Sequence, residues 1–157
     1  GLDFGLKYKG LYTDMAITVG AGRIDEKAEN LINIAKESLN KGIAVIRDGA
    51  RVGDIGEAIQ KYVEARGFSI VRKLIGHGVG HFVHEGPEIP NYGFNGQGVL
   101  LREGMVLALE PMANEGGFDV SISPDGWTWK TRDGSRSAHF EHTVVVTKQG
   151  SEILTLL

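Results

Sequence analysis

The residues in this sequence best suited to chemistry are acids and imidazoles set into apolar or glycine-rich surroundings. Asp3 interrupts the β-rich run Leu2–Lys7 and Asp14 interrupts Leu11–Val19, although aspartate is disfavoured in strands. The segment Gly76-His77-Gly78-Val79-Gly80-His81-Phe82-Val83-His84-Glu85 gathers three histidines among its glycines. Histidine is the commonest metal ligand and titrates near neutral pH. Glu110 ends the strand-like run Met105–Leu109 and is followed by Pro111, while Glu141 interrupts Ala138–Thr147. A carboxylate inside a buried strand is costly unless it is paired or bound to a metal.

If the first two runs form a hairpin turning between Tyr8 and Lys9, Asp3 and Asp14 face each other with Cβ atoms roughly 4.5–5.5 Å apart. A bulge at Gly10 would shift that register. Opposed carboxylates repel unless one is protonated or a cation lies between them. Exposed positions on an edge strand are the plainer alternative. His77 and His81 have i, i+4 spacing, but the interleaved glycines argue against a helix. His84-Glu85 could begin a zincin motif, except that Glu88 stands where the second histidine is needed. The glycines instead let the backbone pass close to a ligand; a surface loop with incidental histidines is the alternative. A salt bridge to Lys or Arg would explain either glutamate taken singly. Together, two Asp, two Glu and one or more His make an oxygen- and nitrogen-donor set suited to two divalent ions. Bridging carboxylates hold such ions ~3.5–4 Å apart, and the usual chemistry is hydrolysis of an amide or a phosphate ester.

Certain elements must position these groups. The two β-rich runs, separated by Tyr8-Lys9-Gly10, read as a hairpin. Asp25–Lys41 carries Ala28, Leu31, Ile32, Ala35 and Leu39 at helical spacing, with Gly42 as its stop. Asp54–Arg66 reads as a second helix, with Asp54 and Glu57 as a capping box and Gly67 at its end. Its buried stripe is Ile55, Ala58, Ile59, Tyr62 and Val63. Ser69–Ile75 predicts a short strand and Gly76–Gly98 a long loop, a length that usually signals function or disorder. Met105–Leu109, Thr128–Thr131, Ala138–Thr147 and Ile153–Leu156 read as strands. This order predicts an α+β fold with helices on one face of a mostly antiparallel sheet. In a regular strand Phe140 and His142 point away from Glu141.

With 157 residues the chain fits a single domain. Cysteine is absent, which excludes disulfides and thiolate metal sites in this chain. The net charge of −3 and the lack of any basic run longer than a pair give no sign of nucleic-acid binding. No apolar stretch approaches the ~20 residues needed to cross a membrane, and no signal peptide is visible at the start.

In these motifs the sequence resembles the bacterial-type methionine aminopeptidases of the pita-bread fold. Leu2-Asp3-Phe4 with Tyr12-Thr13-Asp14, Gly76-His77-Gly78-Val79-Gly80 with His84-Glu85, Leu109-Glu110-Pro111-Met112 and Phe140-Glu141-His142-Thr143 match the family's motifs in order. Asp125-Gly126-Trp127-Thr128 matches the stretch before its last ligand. The resemblance implies removal of the initiator methionine from nascent proteins by hydroxide attack from a dinuclear centre of cobalt, manganese, iron or zinc. It implies that Asp3 chelates one ion, that Asp14 and Glu141 bridge the pair, and that His77 and Glu110 complete the other. Glu110 would also relay a proton, His84 would bind the substrate without touching metal, and Trp127 would border the substrate pocket. His81, His139 and His142 receive no ligand role. Further implications are a cytoplasmic monomer associated with ribosomes, and a catalytic domain of which residues 1–157 are the C-terminal portion. Family members carry a stretch before the first aspartate that supplies half of a pseudo-symmetric fold, part of the methionine pocket and another catalytic histidine. Glu141-His142-Thr143 and Met112 weigh against a prolidase or X-Pro aminopeptidase, and the retention of all five ligands weighs against a non-catalytic peptide-binding relative.

Overall fold

The computed structural model describes residues 1–156. It opens with the hairpin: β1 (Leu2–Tyr8) pairs with β2 (Leu11–Ile17) across a turn at Lys9 and Gly10. Both turn residues take positive φ, 47° and 90°, as the right-handed twist of a two-residue hairpin demands. The turn lies one residue later than the sequence suggests, so each partner shifts by two. Asp3 faces Ala16 and Asp14 faces Gly5; the expected direct opposition of the two acids is not formed. A shift of two preserves the side-chain face, so Asp3 and Asp14 remain diagonal neighbours on one surface.

Helix α1 (Glu26–Ile43) starts at Asp25, whose carboxylate accepts from the Ala28 N–H at 2.8 Å. It does not stop at Gly42, because that glycine is where α1 meets the next helix. A Cβ there would lie 2.8 Å from Ile59 Cδ1. Helix α2 (Val52–Glu64) begins two residues before Asp54. Asp54 therefore sits inside the first turn, where its carboxylate accepts from the Arg51 N–H at 2.8 Å, instead of preceding the helix as its cap. Ile55, Ile59 and Val63 are fully buried, with Ala58 and Tyr62 at the margin of the stripe. Together with Leu31, Ala35 and Leu39 of α1 they form one core with Leu107, Leu109, Val144 and Val146 from the sheet.

The remaining strands are β3 (Ser69–Ile70), β4 (Gly76–Gly78), β5 (Glu85–Ile89), β6 (Val106–Leu109), β7 (Met112–Asn114), β8 (Val120–Ile122), β9 (Trp129–Thr131), β10 (Ser137–His139), β11 (His142–Val146) and β12 (Ser151–Ile153). They form a five-stranded sheet in the order β12-β11-β6-β4-β5, a three-stranded sheet β10-β7-β3 and the separate hairpin β8-β9. Every pairing among the described residues is antiparallel, which gives the expected α+β arrangement.

The last strand, Ser151–Ile153, ends where the expected strand Ile153–Leu156 begins, and two further expectations about the strands fail for identifiable reasons. Gly76–Gly98 is not one long loop, since it contains β4 and β5. Its glycines are there because the strands approach closely: a Cβ on Gly76 would collide with the Ala108 carbonyl, and one on Gly78 with the Gly86 carbonyl. Ala138–Thr147 is not one strand but two, β10 and β11, interrupted at Phe140-Glu141. The opposite side is interrupted at Glu110-Pro111, between β6 and β7. Proline has no N–H to give to a ladder.

Candidate metal centre

The two interruptions face each other. His142 pairs with Leu109 on one side of the gap and His139 pairs with Met112 on the other, in a single register that sets Glu110 opposite Glu141. Strand β2 lies along the far side of the same segment. Ala16 bridges Glu141 through paired backbone hydrogen bonds, with the Glu141 N–H donating to the Ala16 carbonyl at 2.8 Å. Thr143 fixes Asp14 beside it: the Asp14 N–H donates to Thr143 Oγ1 and the Thr143 hydroxyl donates to the Asp14 carbonyl, both at 2.8 Å. Successive strands thus deliver Asp3, Asp14, Glu141 and Glu110 to one surface, with only the methyl of Ala16 between Asp3 and Glu141. His77 reaches it from β4, which pairs with β6 at Ala108.

The donor atoms converge. Asp3, Asp14 and Glu141 each offer an oxygen within 4.8 Å of the others, and His77, Glu110 and Glu141 offer one atom each within the same distance. Glu141 belongs to both groups, as a carboxylate shared between two adjacent ions must. His77 is oriented for ligation. Its Nδ1 lies 2.9 Å from the Gly78 carbonyl, which can only accept, so Nδ1 carries the proton. The lone pair is left on Nε2, 3.6 Å from Glu110 Oε1. Such a backbone anchor on the other ring nitrogen is what metal-bound histidines usually have.

Electrostatics point the same way. Burial, reinforced by the charges of Asp3 and Asp14, raises the Glu110 carboxyl to about 8. Burial, with Glu110 and Asp14 next in importance, raises Glu141 to about 9. Asp14 is raised by burial and by Asp3, and burial lowers His77. The close approach of His77 and Glu110 is therefore no ion pair at neutral pH, and without a cation Glu110 and Glu141 hold protons in its place. No lysine or arginine is paired with any of the four acids among the described residues, which removes the salt-bridge explanation. A set of hard oxygens, most of them enclosed, with one neutral imidazole fits divalent cations.

Of the other residues singled out by sequence, His84 stands beside the cluster. It is exposed, its ring is edge-on to His77 with centroids 4.2 Å apart, and with Asp14 and His77 it forms a third group of converging donors. Asp3 is the least enclosed acid, its side chain 59% exposed. Trp127 lies in the β8–β9 turn, where its backbone N–H donates to Asp125 Oδ1 at 2.9 Å; its side chain is open to solvent, the residue being 85% exposed. His142 turns away, its Nδ1 meeting Thr155 Oγ1 at 2.8 Å. His139, which sequence reasoning set aside, lies between Asp3 and Glu110, 3.9 Å and 3.7 Å from their oxygens. A signal existed: His139 is two residues from Glu141, so the alternation that sends Phe140 and His142 away sends His139 toward the acids.

Comparison with known proteins shows the family of the chain and its fold. The model of metallopeptidase family M24 matches residues 1–148. A methionine aminopeptidase of Clostridium perfringens is 51% identical over 156 residues, 99% of this chain and 63% of that protein. The crystal structure of methionine aminopeptidase from Thermotoga maritima superposes with a TM-score of 0.96 at 50% identity, over 99% of this chain and 62% of that one. Prolidase from Pyrococcus furiosus shares the fold, with a TM-score of 0.77 at 24% identity over 99% of this chain and 40% of the other. The chain spans less than two thirds of the length of the curated relatives it matches. The chain belongs to metallopeptidase family M24 and has the pita-bread fold of the bacterial methionine aminopeptidases that it resembles.

Proposed function

We propose that the chain carries the metal-holding part of a methionine aminopeptidase catalytic domain and removes N-terminal methionine from nascent peptides. The observation that carries this is the pair of donor groups sharing Glu141, with the His77 lone pair turned into them by its bond to Gly78. Asp3, Asp14 and Glu141 would hold one ion, and His77, Glu110 and Glu141 the other, with Asp14 as a second bridge. Two divalent ions there, of cobalt, manganese, iron or zinc, supply hydroxide near neutral pH and polarise a carbonyl.

The chain's own residues do the rest. Glu110 accepts a proton and passes it toward the leaving amine. His84, exposed beside His77, donates a hydrogen bond to the substrate, where charge develops on the carbonyl oxygen. Trp127 borders the substrate pocket. On the same reading the protein acts in the cytoplasm as a monomer associated with ribosomes; no helix among the described residues is long and apolar enough to cross a membrane.

The methionine reading is favoured over a proline-specific one by Met112 after Glu110-Pro111 and by Glu141-His142-Thr143, and by the names of relatives about half identical to it. The test is a competition on the manganese-loaded chain between a Met-Ala-Ser peptide and an X-Pro dipeptide, with Glu110→Ala as control. Methionine release that disappears in the control is the expected outcome. Cleavage of the X-Pro dipeptide with Met-Ala-Ser left intact would overturn the assignment, and no cleavage of either would deny this chain an activity of its own.

A further inference from the structure

The imidazole of His139 sits inside the acidic cluster without a part in the chemistry above. Its backbone is fixed by Thr18: the His139 N–H donates to Thr18 Oγ1 at 2.9 Å, and the Thr18 hydroxyl donates to the His139 carbonyl at 2.8 Å. Its Nε2 is buried and has no hydrogen-bond partner. A buried polar atom without a partner is rare in native proteins and calls for an explanation. The acceptor it faces is Glu110 Oε2, 3.7 Å away. Hydrogen bonds of this type end near 3.2 Å, so a shift of roughly 0.5 Å closes the contact. The other oxygen of the same carboxylate, Oε1, is the one 3.6 Å from His77 Nε2. Glu110 therefore stands between two imidazoles: one aims a lone pair at Oε1, and the other brings an unused nitrogen to Oε2. Asp3 lies 3.9 Å from the remaining ring nitrogen, but its carboxylate is exposed and open to solvent. The enclosed acceptor is Glu110, which places the ring proton on Nε2.

We propose that His139 is a positioning residue: its Nε2–H donates to Glu110 Oε2 and holds that carboxylate with Oε1 turned toward the ion-binding face. This rests on the reading of Glu110 as a metal ligand. A ligating carboxylate that is hydrogen-bonded from behind is fixed before the ion arrives, and loss of such a partner typically weakens metal binding 10–100-fold.

The test is titration of the full chain with manganese as the only probe, in wild type, His139→Leu and His139→Gln, beside the melting temperature of each metal-free form. Leucine fills the space without a donor, whereas glutamine keeps an N–H. The expected result is a loss of about 10–100-fold in affinity for one of two ions in His139→Leu. His139→Gln keeps most of that affinity and of the metal-free melting temperature, whereas His139→Leu lowers both, because it leaves the buried Glu110 Oε2 without its donor. Wild-type affinity in His139→Leu would overturn the proposal, as would equal losses of affinity in both variants. A wild-type chain that takes up no manganese would instead overturn the reading of the site as a metal centre, and this inference with it.

Discussion

The metal-free chain should lose stability as the pH rises from about 6.5 to 8, and divalent cations should cancel the loss. In the unfolded chain Glu110 and Glu141 ionise near the ordinary glutamate value of about 4.3. In the fold they hold their protons up to about 8 and about 9. A group whose folded value is raised gives stability that is fully present below the unfolded value and is lost as pH rises toward the folded one. Between these limits the folded state binds more protons than the unfolded state, and each retained proton removes about 1.4 kcal/mol per pH unit. Over 1.5 pH units that is roughly 2 kcal/mol for one carboxylate and roughly 4 kcal/mol for both. At 2–4 °C per kcal/mol for a chain of this size, the melting temperature falls on the order of 5–15 °C. The window starts at about 6.5 because burial lowers His77, His139 and His142, and these oppose the trend only below the ordinary histidine value. The assay is a thermal melt at each pH after chelation and dialysis, with and without saturating manganese, and with Glu141→Gln, which removes one titrating group. A metal-free melting temperature that stays flat or rises over this range would refute the reasoning. So would an unchanged slope in Glu141→Gln.

Three further outcomes follow from the same geometry. Asp3→Ala and His77→Ala should each bind one manganese ion where wild type binds two, because each removes a donor from only one of the two groups sharing Glu141; elemental analysis after dialysis reads this directly. Thr143→Val strips the Asp14 backbone of both its hydrogen bonds to this side chain and should cost about 1–3 kcal/mol in a denaturant melt while also weakening manganese binding. Gly78→Ala puts a methyl against the Gly86 carbonyl and should destabilise the β4–β5 pairing by about 1–3 kcal/mol, with β4 no longer holding His77 in place.

Much of this was legible in the sequence, and the exceptions are instructive. The acids were visible because aspartate and glutamate inside apolar runs contradict local preference, a conflict that usually marks function. The hairpin register was misread by one turn position, yet Asp3 and Asp14 still share a face, because strand side chains alternate with a period of two and the error moved partners by two. The strands β4 and β5 were hidden because Gly76 and Gly78 imitate a loop; what makes them necessary is the Ala108 and Gly86 carbonyls, contributed by neighbours far along the chain or across a turn. The break between β10 and β11 falls at the Glu141 that interrupts Ala138–Thr147, but only the pairing of the two halves with different strands shows that the run divides there. His139 fell outside the candidate site because its relation to Glu110 depends on that pairing.

The central claim is that Asp3, Asp14, His77, Glu110 and Glu141 together form a centre for two divalent ions. The most direct measurement is the number of manganese ions bound per chain at saturation, by equilibrium dialysis and elemental analysis, in wild type and in Glu141→Ala. Two ions in wild type, with both lost or severely weakened when the shared carboxylate is removed, is the predicted result. A wild-type chain that binds no manganese, or a Glu141→Ala chain that still binds two ions with wild-type affinity, would contradict the account.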